Sequence, residues 1–236
     1  MHLTARLLLV SVVLGCLLHT LVTTAAAGML GYPVPRLRPL HARIELAGDS
    51  FQETLDALDH AKATTGRGLL TVAFGPTDWS EIYGRFGAAQ FNVRDAEFNG
   101  GFDFAYGGGA RLRLFRLSWG SGGLFGQYLR FHSNDHNNPN RDGTWEEVDV
   151  GLGLGSRRFG AFQFYGGGTY HNADITIRDR SVGTRTHLKS EMPARLFLGV
   201  NIYPLADFPG GEFAVNVEAR FVGEIPQVTL GLQYSF

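Results

Sequence analysis

Val228-Thr229-Leu230-Gly231-Leu232-Gln233-Tyr234-Ser235-Phe236, the last stretch of this 236-residue sequence, alternates between two kinds of side chain. Val228, Leu230, Leu232, Tyr234 and Phe236 form an apolar set, and the residues between them are small or polar. Successive side chains of a β-strand point to opposite faces, so the segment reads as a strand with one greasy and one polar face. A strand placed between hydrocarbon and a polar lumen needs this division, with aromatic residues where it meets the interface.

The other end of the sequence agrees. Arg6 supplies a positive charge, Leu7 to Val22 is almost wholly apolar, and Ala25-Ala26-Ala27 before Gly28 has the small-residue form of a signal-peptidase site. Residues 1–27 are therefore expected to be a signal peptide, 28–39 an N-terminal leader, and 40–236 one β-barrel domain. Cys16, the only cysteine, would leave with the signal peptide, so neither disulfides nor thiol chemistry is expected in the mature chain.

Composition points the same way. Formal net charge is −1, which offers no basic surplus for nucleic acid. Glycine (32 residues) and aromatics (12%) are abundant: glycine lets strands bend and close, and aromatics supply interfacial girdles. No apolar run after residue 27 approaches the roughly 20 residues of a spanning helix. Only a closed barrel pairs every backbone group without helices, so a membrane protein of this composition must be one.

Ten period-two segments follow one another. Leu40, Ala42, Ile44 and Leu46 alternate with His41, Arg43 and Glu45; Leu70, Val72 and Phe74 form the second; Glu81, Tyr83 and Arg85 oppose Ile82 and Phe86 in the third. Phe104, Tyr106, Leu112 and Leu114 oppose Asp103, Arg111 and Arg113, and Phe125, Leu129 and Phe131 oppose Tyr128, Arg130 and His132. Val148 to Leu154 oppose Glu147 and Asp149, Phe162 and Phe164 oppose Tyr165 and Thr169, and Leu196 to Ile202 oppose Arg195 and Asn201. Phe213 to Phe221 oppose Glu218 and Arg220, and the final stretch is the tenth. An even count returns the chain to its starting side; losing the first strand with its partner would leave eight. Polar segments near 49–66, 92–100, 134–143 and 172–187 are expected as outer loops, and short ones near 76–79 and 156–159 as turns. Ser50 with Glu53, followed by Leu55 and Leu58, predicts a helix over 51–63.

Phe236 as the final residue, with Tyr234 two places before it, resembles the C-terminal signature of bacterial outer-membrane β-barrels. The resemblance implies an up-and-down transmembrane barrel in the outer membrane of a Gram-negative bacterium. It also implies recognition of Val228, Leu230, Leu232, Tyr234 and Phe236 by the barrel-assembly machinery, and surroundings of outer-membrane lipid and lipopolysaccharide. Its motifs are architectural, so it implies a place rather than an activity.

With the apolar faces toward lipid, the lumen receives Arg43, Arg85, Arg111, Arg113, Arg130, Arg195 and Arg220 beside Glu45, Glu81, Asp103, Glu147, Asp149 and Glu218. Charges confined in a narrow barrel should pair, since a lone buried charge is costly. This resembles the filled interiors of the outer-membrane-protein-A type domains more than an open porin. The expectation is a non-enzymatic barrel with a structural role or an unidentified surface ligand, without cofactor or metal. A narrow channel for small solutes is the alternative, and a lipid A-modifying hydrolase the second alternative. His132-Ser133-Asn134 faintly resembles the signature of lipid A deacylases, but adjacent strand residues point to opposite faces, whereas a Ser–His pair must meet. His132, Asp135 and His136 lie close in a turn-rich stretch, and no fourth metal ligand is set by spacing.

Overall fold

The computed structural model describes residues 30–56, 61–191, 193–204, 210–222 and 225–236. The expected signal peptide therefore lies outside the described residues. Twelve strands run in chain order: β1 Ala42–Thr54, β2 Lys62–Phe74, β3 Ser80–Val93, β4 Phe98–Asn99, β5 Asp103–Arg116, β6 Gly120–Asn134, β7 Arg141–Ser156, β8 Phe162–Asp179, β9 Thr184–Lys189, β10 Ala194–Ile202, β11 Glu212–Val222 and β12 Ile225–Ser235. Ten of them form the wall, each antiparallel to its neighbours. The two-residue β4 pairs with β3, and β9 folds back on the end of β8. The sheet closes because β12 pairs with β1, placing Leu232 opposite Leu46, while β8 pairs with β10. The C-terminal stretch read first in the sequence is thus a closing strand, and the ten expected strands are all present.

The wall is longer than a membrane requires. Crossing takes about 9–11 residues of tilted strand, whereas β7 has 16 and β8 has 18. Along these strands the polarity of the two faces reverses. Near the chain termini, Val148, Val150, Leu152, Leu154, Phe162 and Phe164 are exposed on the outside, while Asp149 and Glu147 are buried inside. Farther from the termini, Asp142 and Glu146 of β7 and Asp174 and Arg178 of β8 lie on the outside, while Trp145, Ile175 and Ile177 are buried inside. The first section meets hydrocarbon and the second meets water, so each turns a compatible face outward.

The fifth expected strand is corrected, for Leu129 and Phe131 by this reversal and for Phe125 by apolar packing inside the terminus end. Phe125, Leu129 and Phe131 are 1%, 2% and 0% exposed, pointing inward, whereas Tyr128, Arg130 and His132 point out. Arg130 is therefore not a lumen residue; it pairs on the outer face with Glu146 at 3.1 Å. The expected helix is corrected too. Residues 51–54 continue β1 and 62–63 begin β2, with residues 57–60 outside the described set. Phe51 and Glu53 point inward with strand periodicity, and burial on that face overrides the capping-box pattern. For the same reason the segments 49–66 and 172–187 are mostly strand rather than loop.

Aromatic side chains bracket the apolar belt. Trp79, Phe115, Trp119 and Phe159 are exposed toward the terminus end, and Phe104, Tyr106, Tyr128 and Tyr170 toward the other, as interfacial girdles require. Leu152 and Leu198, each 58% exposed between them, face lipid. Leu152→Arg or Leu198→Arg is expected to destabilise the barrel by about 2–4 kcal/mol near the bilayer midplane, measured by urea unfolding in lipid vesicles. Parent-like stability of both variants would contradict this register.

Candidate functional site

The interior is the place to look for function, and it is occupied along its length. At the terminus end, residues 30–37 run inside the wall. Leu30 and Val34 are each 1% exposed and pack with Tyr32, Phe125, Tyr165 and Phe197, while Leu37 packs on Ala73 and Tyr83. Glu218 accepts the backbone N–H groups of Leu30 (2.9 Å) and Gly31 (2.8 Å), and Arg111 donates to the Leu30 carbonyl at 2.8 Å. The Tyr32 hydroxyl donates to the Ser156 carbonyl at 2.9 Å. Glycines of β7 make room for this segment. A Cβ at Gly153 would stand 2.5 Å from the Pro33 ring, and one at Gly155 would stand 2.0 Å from the Tyr32 hydroxyl.

Above this segment lies a layer of paired charges. Glu81 receives Arg43 at 2.8 Å and also Arg111. Arg67, which sequence reasoning missed because it lay between the expected loop 49–66 and the second expected strand, joins Asp49 and Glu147, each at 2.7 Å. Asp149 takes Gln127 at 2.8 Å and His171 Nδ1 at 2.8 Å, with Arg220 at 3.8 Å. Arg220 also approaches Glu218 at 3.4 Å, Arg85 donates to Gln127 at 3.0 Å, and Arg43 Nε lies 3.7 Å from Glu45. Arg195 reaches Glu53, another residue of the supposed loop. Each of these charged side chains is buried. At such burial the pairs are held together chiefly because an unpartnered charge there would cost several kcal/mol.

Two expected lumen residues stand elsewhere. Arg113 lies at the terminus rim, donating to the carbonyls of Pro35 (2.7 Å) and Asp78. Asp103 stands at the opposite end of β5 and accepts the N–H of Phe104 at 2.6 Å. Neither joins the central pairs, because strand tilt and length carry them past the middle of the barrel. Arg111 takes Glu81, since β3 and β5 are neighbours and place residues 81 and 111 directly opposite.

The far section of the interior is apolar. Trp145 is fully buried, stacked on Phe131 at a 5.8 Å centroid distance and edge-on to Phe51 at 5.9 Å, with Phe91 at 5.7 Å. Its indole N–H donates to Glu147 at 3.0 Å, joining the apolar layer to the charged one. On the outer surface of this section, His132 bonds Thr144 at 2.9 Å across the strands, while Ser133, turned inward, donates to the Gly101 carbonyl at 2.9 Å. Asp135 is engaged by Arg141 at 3.4 Å and by the Asn137 N–H at 2.9 Å. The Asp179 carboxylate, at the tip of the β8–β9 hairpin, is held below the usual carboxylate range by hydrogen bonds from Ser181.

Closure, an apolar belt between two aromatic girdles, and a polar interior decide the class. The protein has the fold of a membrane-spanning β-barrel. No protein-family model matches the chain, and no curated protein matches it in sequence. Among solved structures, it is similar to the translocator domain of the autotransporter NalP from Neisseria meningitidis, with 9% identity and a TM-score of 0.48 over 83% of this chain and 88% of that one. It is also similar to the outer membrane protease OmpT from Escherichia coli, with 9% identity and a TM-score of 0.38 over 88% of this chain and 96% of that one.

Proposed function

We propose that this barrel is non-enzymatic and non-conducting, with a structural or surface-contact role in the cell envelope and a charge-filled lumen. The observation that carries this reading is the seating of residues 30–37 inside the wall, tied by backbone hydrogen bonds to Glu218 and Arg111. With the central ion pairs and the Trp145 cluster stacked beyond it, hydrated ions have no continuous polar path. On this reading the partners are outer-membrane lipid and lipopolysaccharide around the wall, the barrel-assembly machinery at β12, and a surface ligand at the outer loops.

Planar-bilayer recordings test it. The parent protein is expected to give little or no steady conductance, and it should remain tight after deletion of residues 30–37 alone, because the charged and apolar layers persist. Deleting the segment together with Trp145→Ala and Phe131→Ala should open measurable, noisy conductance. A large, stable, ion-selective conductance in the parent would establish the narrow-channel reading instead. Fatty-acid release from lipopolysaccharide that depends on His132 and Ser133 would establish the hydrolase.

A further inference from the structure

The lumen arginines Arg43, Arg67, Arg111, Arg195 and Arg220 each hold a carboxylate. The arginines at the terminus end follow that pattern only in part. There a cavity of about 630 Å³ opens between the N-terminal segment, the turns that follow β5 and β7, and Tyr203, Gly210 and Gly211, and Glu212 is the one acidic side chain among its described lining residues. Six arginines line it. Three are held in place by neutral or shared partners. Arg36 donates to Gln233 at 3.0 Å and to the Tyr203 hydroxyl, and Arg113 donates to backbone carbonyls and lies 4.0 Å from the exposed Asp78 carboxylate. Arg158 lies 4.2 Å from the Tyr203 ring centroid and takes Glu212. Arg36 approaches the same ring at 5.4 Å, so one tyrosine carries two guanidinium groups of like charge. The other three, Arg38, Arg116 and Arg157, are exposed and have no side-chain hydrogen bond or ion pair among the described residues.

A protein that neutralises its central arginines but concentrates uncompensated ones around a concave mouth has a place for an external anion. Guanidinium forks match the oxygens of phosphate, and one phosphate group offers several acceptors and up to two charges, enough to engage more than one arginine at once. We propose that the terminus-end basin binds a phosphate-bearing anion, with Arg36, Arg113 and Arg158 forming its fixed wall and Arg38, Arg116 and Arg157 closing on the ligand. The end that carries the chain termini and short turns is the periplasmic one in barrels of this kind. The phosphate therefore comes either from a soluble periplasmic polyanion or from an anionic phospholipid of the adjoining leaflet.

The test uses the mature barrel refolded in zwitterionic detergent, with inorganic tripolyphosphate as the soluble probe in calorimetric titration. A second arm places the barrel in phosphatidylcholine bilayers containing spin-labelled phosphatidylglycerol and measures the immobilised fraction. Arg116→Ala with Arg157→Ala should weaken the responding arm on the order of tenfold, the loss of charge-assisted hydrogen bonds. Arg178→Ala with Arg185→Ala, at the opposite end of the barrel, should leave it unchanged. Heat-modifiable migration confirms that each variant is folded. Tripolyphosphate binding with this dependence assigns the soluble source, and phosphatidylglycerol immobilisation with this dependence assigns the lipid source. Binding in neither arm, or binding equally affected by the two double variants, would overturn the proposal.

Discussion

Replacing Glu81 by alanine is expected to lower the unfolding free energy by about 3–5 kcal/mol, because it leaves a buried charge without its partner. Glu81 is fully buried and accepts both Arg43 and Arg111, and Arg111 in turn holds the carbonyl of Leu30. One truncation therefore leaves two guanidinium groups short of a counter-charge in a section enclosed by lipid. Urea unfolding in vesicles measures the loss. The triple variant with Arg43→Leu and Arg111→Leu should recover much of it, since removing every charge avoids the desolvation cost that removing one partner exposes. A Glu81→Ala barrel within about 1 kcal/mol of the parent, an ordinary surface-substitution effect, would show that water reaches and solvates these arginines.

Trp145→Ala should be comparably costly, about 3–5 kcal/mol for a large aromatic truncated in a packed core. Its consequences should be confined to a different part of the molecule. Trp145 joins Phe51, Phe91 and Phe131 in the section beyond the membrane, where the wall is solvated outside and apolar interior packing holds the strands. The variant is expected to retain heat-modifiable migration from its membrane section while its far strand ends, around residues 135–140 and 180–183, become open to added protease. Equal protease resistance in parent and variant would mean that strand pairing alone holds that section.

The strands were legible because period-two alternation is local. Val148 to Leu154 or Leu196 to Ile202 declare their faces within a few residues, and a one-residue slip would turn the whole apolar set inward. The candidate interior was legible only in part. Glu81, Arg111, Glu147, Asp149, Glu218 and Arg220 follow from parity, and the structure buries all of them. Asp49, Glu53 and Arg67 escaped because polar, charged residues near a chain reversal read as loop, whereas here they line the inside of strands that continue past the membrane. Arg130 was misplaced because parity says which residues share a face but not which face meets lipid, and that choice reverses where the wall leaves the membrane.

The glycines of β7 show the same division. In the sequence glycine is read only as the residue that lets strands bend and close, and nothing near Gly153 or Gly155 names Pro33 or Tyr32. Pro33 and Tyr32, which meet Gly153 and Gly155 inside the barrel, are more than a hundred residues away from them in the chain. What the sequence by itself determined was the alternation, and with it a closed barrel of ten or eight strands, because satisfied backbone groups in hydrocarbon leave no other all-β solution; the structure decided for ten. Only the tertiary structure decided which charge meets which, that residues 30–37 fill one end of the lumen, and that aromatic side chains fill the other. These contacts depend on strand tilt, length and stagger across closure, quantities that belong to the whole sheet and to no single segment of it.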